Sequence, residues 1–149
     1  MSPICSIAVL NGPNLNMLGV REPDIYGHQT LGDIEAECRR LAIEKQLEID
    51  WYQSNLEGEL ITKIQSLAES VDWIVINAAG LTHTSVALRD ALSLFPGDVI
   101  EVHLSNIHAR ETFRHTSLIS AIAKGVIAGF GATSYYMAID AISHLHLEA

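Results

Sequence analysis

Residues 4–27 read ICSIAVLNGPNLNMLGVREPDIYG, a short apolar run followed by a long stretch with neither strand nor helix periodicity. The apolar run ends at Asn-Gly, which predicts a buried strand over residues 6–10. Residues 11–27 contain two prolines, three glycines and three asparagines, so we expect a loop of unusual length. Because this loop carries Asn14, Arg21 and Tyr26, we interpret it as a lid over a site. The alternative is a solvent-exposed connecting loop without a functional role.

Strands and helices alternate along the rest of the chain. Apolar patterns predict strands over 47–52, 73–76, 99–104 and 126–130, and helices over 30–46, about 60–71, 85–94 and 134–146. Thr30 and Asp33 resemble a capping box at the start of the first helix, and Tyr135 falls on the apolar face of the last one. A short helical segment is expected around Arg110 and Arg114. This alternation implies right-handed βαβ units and a parallel sheet covered on both faces. We therefore predict an α/β, flavodoxin-like three-layer sandwich, with a five-stranded parallel sheet in the order 2-1-3-4-5. Residues 1–149 are expected to form a single domain.

Charge and composition limit the function classes. The net charge is −9 and only nine Lys and Arg residues are present, so we expect binding to neither nucleic acid nor an anionic membrane. An anionic ligand would have to be held by individual arginines. No apolar run approaches the length of a membrane span, and the N-terminus does not resemble a secretion signal. Cys5 and Cys38 fall at apolar positions and are expected to be buried thiols, which fits a reducing, cytoplasmic setting.

Polar side chains gather just after three of the predicted strands. In an open α/β sheet the ligand crevice lies outside the carboxyl ends of the strands, where the strand order reverses. We therefore expect a site built from residues that follow strands one, three and four: Asn14, Arg21, Tyr26, Asn77, Thr82, His83, Ser85, His103, Ser105, Arg110 and Arg114.

Several kinds of chemistry have little support. Residues 11–19 and 129–131 match neither a dinucleotide fingerprint nor a Walker motif. The histidines at 83, 103 and 108 follow no recognised zinc spacing, and an acidic phosphoacceptor cluster is missing where Asn11 stands. Ser85 lies in no nucleophile elbow, and none of the three lysines follows a strand as a Schiff-base lysine would. Proton transfer without a cofactor or covalent intermediate remains.

Two residues are candidates for the proton transfers. Glu101 lies two positions before His103, on the same strand face, and a carboxylate there would fix the tautomer of the imidazole and favour its protonated form. His103 is therefore the candidate acid, although a buried histidine with a structural partner is the alternative. Tyr26 could act as a base only as tyrosinate, which a nearby guanidinium such as Arg21 would favour. By itself, Tyr26 could equally be a packed aromatic residue.

Taken together, these segments resemble type II 3-dehydroquinate dehydratase (type II dehydroquinase). The matching stretches are LNGPNLN (10–16), REP (21–23), YG (26–27), QSNLEG (53–58), NAAGLTHTSVALRDA (77–91), EVHLSNIHARE (101–111), FR (113–114) and GVIAGFG (125–131). They cover nearly the whole chain in order. One departure is Ala78, where many members of the family have proline.

The resemblance implies a cofactor-free anti elimination of water from 3-dehydroquinate, through an enolate, to give 3-dehydroshikimate. Tyr26 would be the base, kept anionic by Arg21 and Arg110. A water positioned by Asn14 would stabilise the enolate, and His103, oriented by Glu101, would protonate the leaving hydroxyl. The implied substrate-binding residues are Asn77, His83, Arg114, Leu104, Ser105 and, from a neighbouring subunit, Asp90.

The resemblance also implies a lyase that assembles as a homo-oligomer, a dodecamer built as a tetramer of trimers. Such an enzyme serves the shikimate pathway of aromatic amino acid biosynthesis or quinate catabolism. The alternative from another functional class is a flavodoxin-like sensor that binds a small anion through the same arginines without turning it over.

Overall fold

A parallel sheet forms the centre of the molecule. The computed structural model describes residues 4–20, 22, 24 and 28–148. Within this part of the chain the strands are β1 (Cys5–Asn11), β2 (Leu47–Gln53), β3 (Trp73–Asn77), β4 (Asp98–His103) and β5 (Gly125–Ala128). They pair in parallel in the order β2-β1-β3-β4-β5, so the predicted α/β fold and strand order are confirmed. Because the order reverses between β1 and β3, a crevice is expected at their carboxyl ends.

Helices cover both faces of the sheet. The described helices are α1 (Leu31–Glu44), α2 (Glu57–Ser66), α3 (Val86–Leu94) and α4 (Thr133–Glu148). Alternate residues of β1 point to opposite faces, so Ile7 and Val9 pack with α1 and α4, whereas Ala8 and Leu10 pack with α2 and α3. Two apolar cores result, one on each side of the sheet. This explains why the central strands β1 and β3 read as nearly continuous apolar runs rather than as alternating ones.

Two helix starts are set by local side-chain hydrogen bonds. The Thr30 hydroxyl accepts from the Asp33 N–H at 3.1 Å, and the Asp33 carboxylate accepts from the Thr30 N–H at 3.0 Å. This reciprocal pair is the capping box expected from the sequence. Ser85 caps α3 in a similar way, because its hydroxyl accepts from the Leu88 N–H at 2.9 Å.

The chain after β4 and β5 departs from the expectation. Strand five was expected to reach Phe130, but β5 ends at Ala128 and Phe130 is 61% exposed. Gly129 takes a φ of +97°, which ends the extended backbone of β5, while its N–H donates to the His103 carbonyl at the end of β4. The helical segment expected near Arg110 and Arg114 consists of two 3-10 turns, Ile107–Ala109 and Thr112–Arg114.

The first half of the long loop packs on the core. Leu15 and Leu18 are buried in the cluster beneath α1, and a 3-10 turn spans Leu15–Met17. This half of the loop, which the sequence predicts to be a lid, is therefore an anchored part of the fold. Arg21 and Tyr26 lie outside the described residues.

Both cysteines are free and buried, as expected. Burial raises the pKa of Cys5 to about 11 and that of Cys38 to about 12. At neutral pH both therefore remain thiols, which suits their packing role.

Within the described ranges, no helix combines the length and the apolar character that crossing a bilayer requires.

Close backbone contact at the end of β1 gives a testable consequence. A Cβ on Gly12 would lie 2.5 Å from the Ala78 carbonyl oxygen, and the Gly12 N–H donates to the Asn77 carbonyl at 2.8 Å. Gly12→Ala is expected to destabilise the fold by about 1–3 kcal/mol, because backbone must move to admit the methyl group. Urea unfolding measures this loss.

Gly58→Ala is the matched control, because its Cβ would meet no atom within 4 Å in the first turn of α2. This change is expected to be neutral or to stabilise by up to about 1 kcal/mol. Equal unfolding midpoints for the two variants would contradict the steric argument.

Candidate active site

A cavity of about 150 Å³ opens at the carboxyl ends of β1, β3 and β4. It lies at the edge where the strand order reverses, and its size suits a small molecule rather than a dinucleotide or a polymer. Its lining residues come from the last residues of β3 and β4 and from the segments that follow the three strands: Pro13, Asn14, Leu15, Leu18, Asn77, Ala79, Gly80, His83, His103, Leu104, Ser105, Ile107, Arg110 and Arg114.

The last residues of β4 place a histidine–glutamate pair at the cavity. Nε2 of His103 hydrogen-bonds to one carboxylate oxygen of Glu101, and the Ser120 hydroxyl donates to the other at 2.7 Å. Burial by itself would raise the pKa of Glu101, but the hydrogen bonds from His103 and Ser120 outweigh it and hold that pKa below its ordinary value of 4.5. The buried carboxylate therefore stays ionised and places the ring proton on Nε2 of His103.

A second imidazole lies beside the first. The His83 ring is roughly parallel to that of His103, with centroids 6.4 Å apart and planes inclined by 19°. Nδ1 of His83 lies 2.9 Å from the Thr116 carbonyl oxygen. Because a carbonyl can only accept, this contact places a proton on Nδ1. In the neutral ring Nε2 is then an acceptor, able to receive a hydrogen bond from a ligand hydroxyl.

Two arginines give the cavity a cationic side. The side chains of Arg110 and Arg114 are only 13% and 17% exposed. Glu111 contacts both, with its oxygen 3.8 Å from Nε of Arg110 and 3.0 Å from Nε of Arg114, and Arg110 also donates to the Ser105 hydroxyl at 3.3 Å. In a protein of net charge −9, this local concentration of positive charge favours an anionic ligand such as a carboxylate.

Amide side chains also border the cavity. Asn14 adopts a left-handed backbone conformation with φ of 71°, and its N–H donates to the Asn55 side-chain oxygen at 2.9 Å. Gln53 bonds to the same oxygen and to the Gly12 carbonyl, both at 3.2 Å. The turn after β2 therefore holds Asn14 at the cavity.

The structure brings together most of the residues that were predicted for the site, and separates others. Glu101 lies behind His103 rather than on the cavity wall, and Asp90 is exposed on α3 without lining the cavity. Ser85, considered as a polar strand-end residue, is engaged with Glu57 at 2.5 Å as well as capping α3. Arg21 and Tyr26 fall outside the described residues, so their predicted roles stay predictions.

Two residues near the site were not identified from sequence. Ser120 contacts Glu101 across nineteen positions of sequence, and no local pattern indicates such a contact. Tyr135 was assigned only to the apolar face of the closing helix, yet its hydroxyl contacts Asn11 and Asn77. A buried tyrosine normally finds a polar partner, but the sequence does not say which one.

The chemistry available to this arrangement is proton transfer on a small anion. It supplies a carboxylate-oriented imidazole, two guanidinium groups and several amides. Among the described residues, no group of three or more His, Cys, Asp or Glu side chains is arranged to hold a metal ion.

The Glu101 carboxylate makes stability depend on acid pH. Its pKa in the folded protein lies below its ordinary value, so the ionised form stabilises the fold above the unfolded-state pKa, and this contribution is lost as pH falls through the folded-state pKa. We expect Glu101→Gln to be destabilising at pH 6, and its deficit relative to the wild type to shrink as pH falls below about 4.5. Urea unfolding between pH 6 and pH 3 measures this difference.

Glu69, an exposed carboxylate, provides the matched control. Glu69→Gln should change stability little at any of these pH values. A deficit of Glu101→Gln that is the same at pH 6 and pH 3 would contradict the linkage.

Comparisons with known proteins place the chain in a family. The model of the family described as Dehydroquinase class II matches residues 5–143. The chain is 54% identical over 143 residues to a 3-dehydroquinate dehydratase of Brucella canis, covering 96% of this chain and 91% of the relative. It is 55% identical over 140 residues to a 3-dehydroquinate dehydratase of Dinoroseobacter shibae, covering 93% of each.

A solved structure agrees with these sequence matches. The type II dehydroquinase of Butyrivibrio crossotus superposes with a TM-score of 0.91 at 43% identity, covering 93% of this chain and 97% of that one. The family match spans all five strands and the segments that form the cavity, and the chain belongs to the class II dehydroquinase family.

Proposed function

We propose that this protein is a 3-dehydroquinate dehydratase, a hydro-lyase that removes water from 3-dehydroquinate to give 3-dehydroshikimate. The observation that carries the proposal is the pairing of His103 with buried Glu101 at the edge of a cavity that also contains Arg110 and Arg114. Membership of the class II dehydroquinase family indicates the substrate on which this acid and these cations would act, a small carboxylate that bears a leaving hydroxyl.

Proton abstraction is the first step of the proposed reaction. Tyr26, as tyrosinate, removes a proton from C2 of 3-dehydroquinate, and the electron pair moves onto the C3 carbonyl oxygen to form an enolate. Arg21 and Arg110 stabilise the anionic form of Tyr26. A water held by Asn14 donates to the enolate oxygen, and the anchoring of Asn14 by Asn55 supports this role.

Departure of the hydroxyl is the second step. His103, as the imidazolium, gives the proton of its other ring nitrogen, Nδ1, to the C1 hydroxyl, while Nε2 stays bonded to Glu101. The C1–O bond breaks, and the enolate electrons form the C1–C2 double bond as water leaves. The two protein groups act on opposite faces of the substrate, which makes the elimination anti. Glu101 orients the imidazole and stabilises its positive charge before the transfer.

Substrate binding uses the remaining polar groups. Asn77, His83 and Arg114 bind the ring hydroxyls, while the backbone amides of Leu104 and Ser105 and the Ser105 hydroxyl hold the carboxylate. Asp90 acts from a neighbouring subunit of a dodecamer, and its exposed place on α3 leaves it accessible to a partner chain. Residues 1–149 form one catalytic domain in this proposal. The reaction supplies the shikimate pathway or uses quinate-derived substrate.

A product assay tests the function directly. Purified protein is mixed with 3-dehydroquinate, and the ultraviolet absorbance of the conjugated enone of 3-dehydroshikimate is followed. We expect the absorbance to rise, and to rise at the same rate in the presence of EDTA. The activity should also remain after the protein has been treated with borohydride in the presence of substrate. Loss of activity in EDTA would indicate a metal, and loss with borohydride would indicate an imine. If no product forms, the alternative of a non-catalytic anion sensor gains support.

A further inference from the structure

A buried tyrosine links the ends of the two central strands. Asn11 and Asn77 are the last residues of β1 and β3 and are paired in register. The Tyr135 hydroxyl, from α4, donates to the Asn11 side-chain oxygen at 2.7 Å and accepts from Nδ2 of Asn77 at 2.9 Å. All three side chains are buried, whereas the proposed mechanism uses only Asn77.

Asn11, Tyr135 and Asn77 form a series of hydrogen bonds, and the backbone groups at the two ends of the series determine the direction of every bond in it. Nδ2 of Asn11 donates to the Tyr52 carbonyl at 3.1 Å, and a carbonyl can only accept. Oδ1 of Asn77 accepts from the Ala79 N–H at 3.1 Å, and a backbone N–H can only donate. Asn11 must therefore turn its side-chain oxygen toward the Tyr135 hydroxyl, and Asn77 must turn its side-chain nitrogen toward the same hydroxyl. The single hydroxyl proton of Tyr135 satisfies both only by bonding to Asn11.

This arrangement leaves the Asn77 amide with one orientation. A rotation of the amide by 180° would place its oxygen against the Tyr135 hydroxyl, whose proton already bonds to Asn11, and its nitrogen against the Ala79 N–H. Two buried hydrogen bonds would then be lost. Burial also raises the pKa of Tyr135, which keeps the hydroxyl protonated at neutral pH. With its oxygen and one hydrogen engaged, the Asn77 amide retains a second N–H on the residue that lines the cavity.

We propose that Tyr135 is a positioning residue that locks the Asn77 amide, so that Asn77 offers the substrate an N–H donor and recognises an oxygen acceptor. The inference rests on the proposed function, because it assumes that Asn77 binds 3-dehydroquinate. Tyr135 itself does not line the cavity. It acts through Asn77, and it therefore affects substrate binding more than the proton transfers.

Tyr135→Phe tests the lock. Without the hydroxyl, Asn77 can rotate, so KM for 3-dehydroquinate is expected to rise about tenfold while kcat changes less than about threefold. Asn77→Ala should also raise KM, and adding Tyr135→Phe to it should raise KM little further, because one interaction has then already been lost. A purely structural role for Tyr135 would lower stability, leave KM unchanged and produce no such coupling.

Tyr136→Phe is the matched control, since it makes the same change at the next position of α4. The Tyr136 hydroxyl hydrogen-bonds with Gln29 rather than with the strand-end asparagines. Its KM and kcat should equal those of the wild type. An unchanged KM in Tyr135→Phe, or additive effects in the double variant, overturns the inference.

A measurement without turnover keeps the two proposals separable. In ¹⁵N-labelled wild-type protein, the two Nδ2 protons of Asn77 should give distinct NMR signals, one protected from water by Tyr135 and one that shifts on adding 3-dehydroshikimate. Equal exchange of both protons with water overturns the lock even if Tyr135→Phe fails to fold. If instead the wild type forms no product from 3-dehydroquinate while the protected signal is present, the proposed function fails and the lock does not.

Discussion

Replacing His103 with alanine is expected to lower kcat by about 10²–10⁴-fold, the usual contribution of a positioned acid. The imidazole, oriented by buried Glu101, is the group at the cavity that can give a proton to the departing hydroxyl. Without it, that hydroxyl must leave as hydroxide or take its proton from water. KM should change far less than kcat, because the proton moves only in the transition state. Steady-state kinetics from the product absorbance measure both constants.

His144→Ala is the control for this change. His144 is an exposed residue of α4, 3.6 Å from Asp140, and it does not line the cavity. Its loss should leave kcat unaltered. A His103→Ala enzyme with near-normal kcat would remove His103 from the mechanism and leave it as a structural partner of Glu101.

Replacing Tyr26 with phenylalanine should also lower kcat by about 10²–10⁴-fold, because the phenolate oxygen is the proposed base. Affinity for the product should change little, since the aromatic ring is retained. An unperturbed tyrosine would be ionised in only about one molecule in a thousand at neutral pH, so this role requires nearby positive charge. Arg110 lies at the cavity, and Arg21 precedes Tyr26 by five positions in the sequence. Turnover and 3-dehydroshikimate titration measure the two effects.

Deuterium exchange separates the roles of these two residues. In D₂O, His103→Ala should still exchange the C2 hydrogen of 3-dehydroquinate, because the base remains and the enolate can only return to substrate. Tyr26→Phe should lose exchange and elimination together. Proton NMR of the substrate follows the C2 signal, and the unaltered exchange expected of Tyr136→Phe serves as the control. Exchange that persists in Tyr26→Phe would assign the base to another group.

Much of the fold could be predicted from local sequence patterns, because the forces that select helices and strands act over a few residues. The capping box at Thr30 and Asp33 was readable from adjacent positions, and so were the apolar strands that are buried on both faces. The end of β5 was misjudged at Phe130, since an apolar residue fits a strand pattern. The strand ends two residues earlier, because Gly129 takes a left-handed backbone conformation that an apolar pattern does not reveal.

The sequence by itself determined the order of strands and helices, the family, and the identity of the polar residues that follow the strands. Chain connectivity and strand direction are enough to bring those residues to one edge of the sheet. Only the tertiary structure decided which of them share a cavity, that Ser85 caps a helix instead, and that Ser120 and Tyr135 support Glu101 and Asn77. Hydrogen bonds between distant segments depend on distances of a few tenths of an ångström, and packing alone sets those distances.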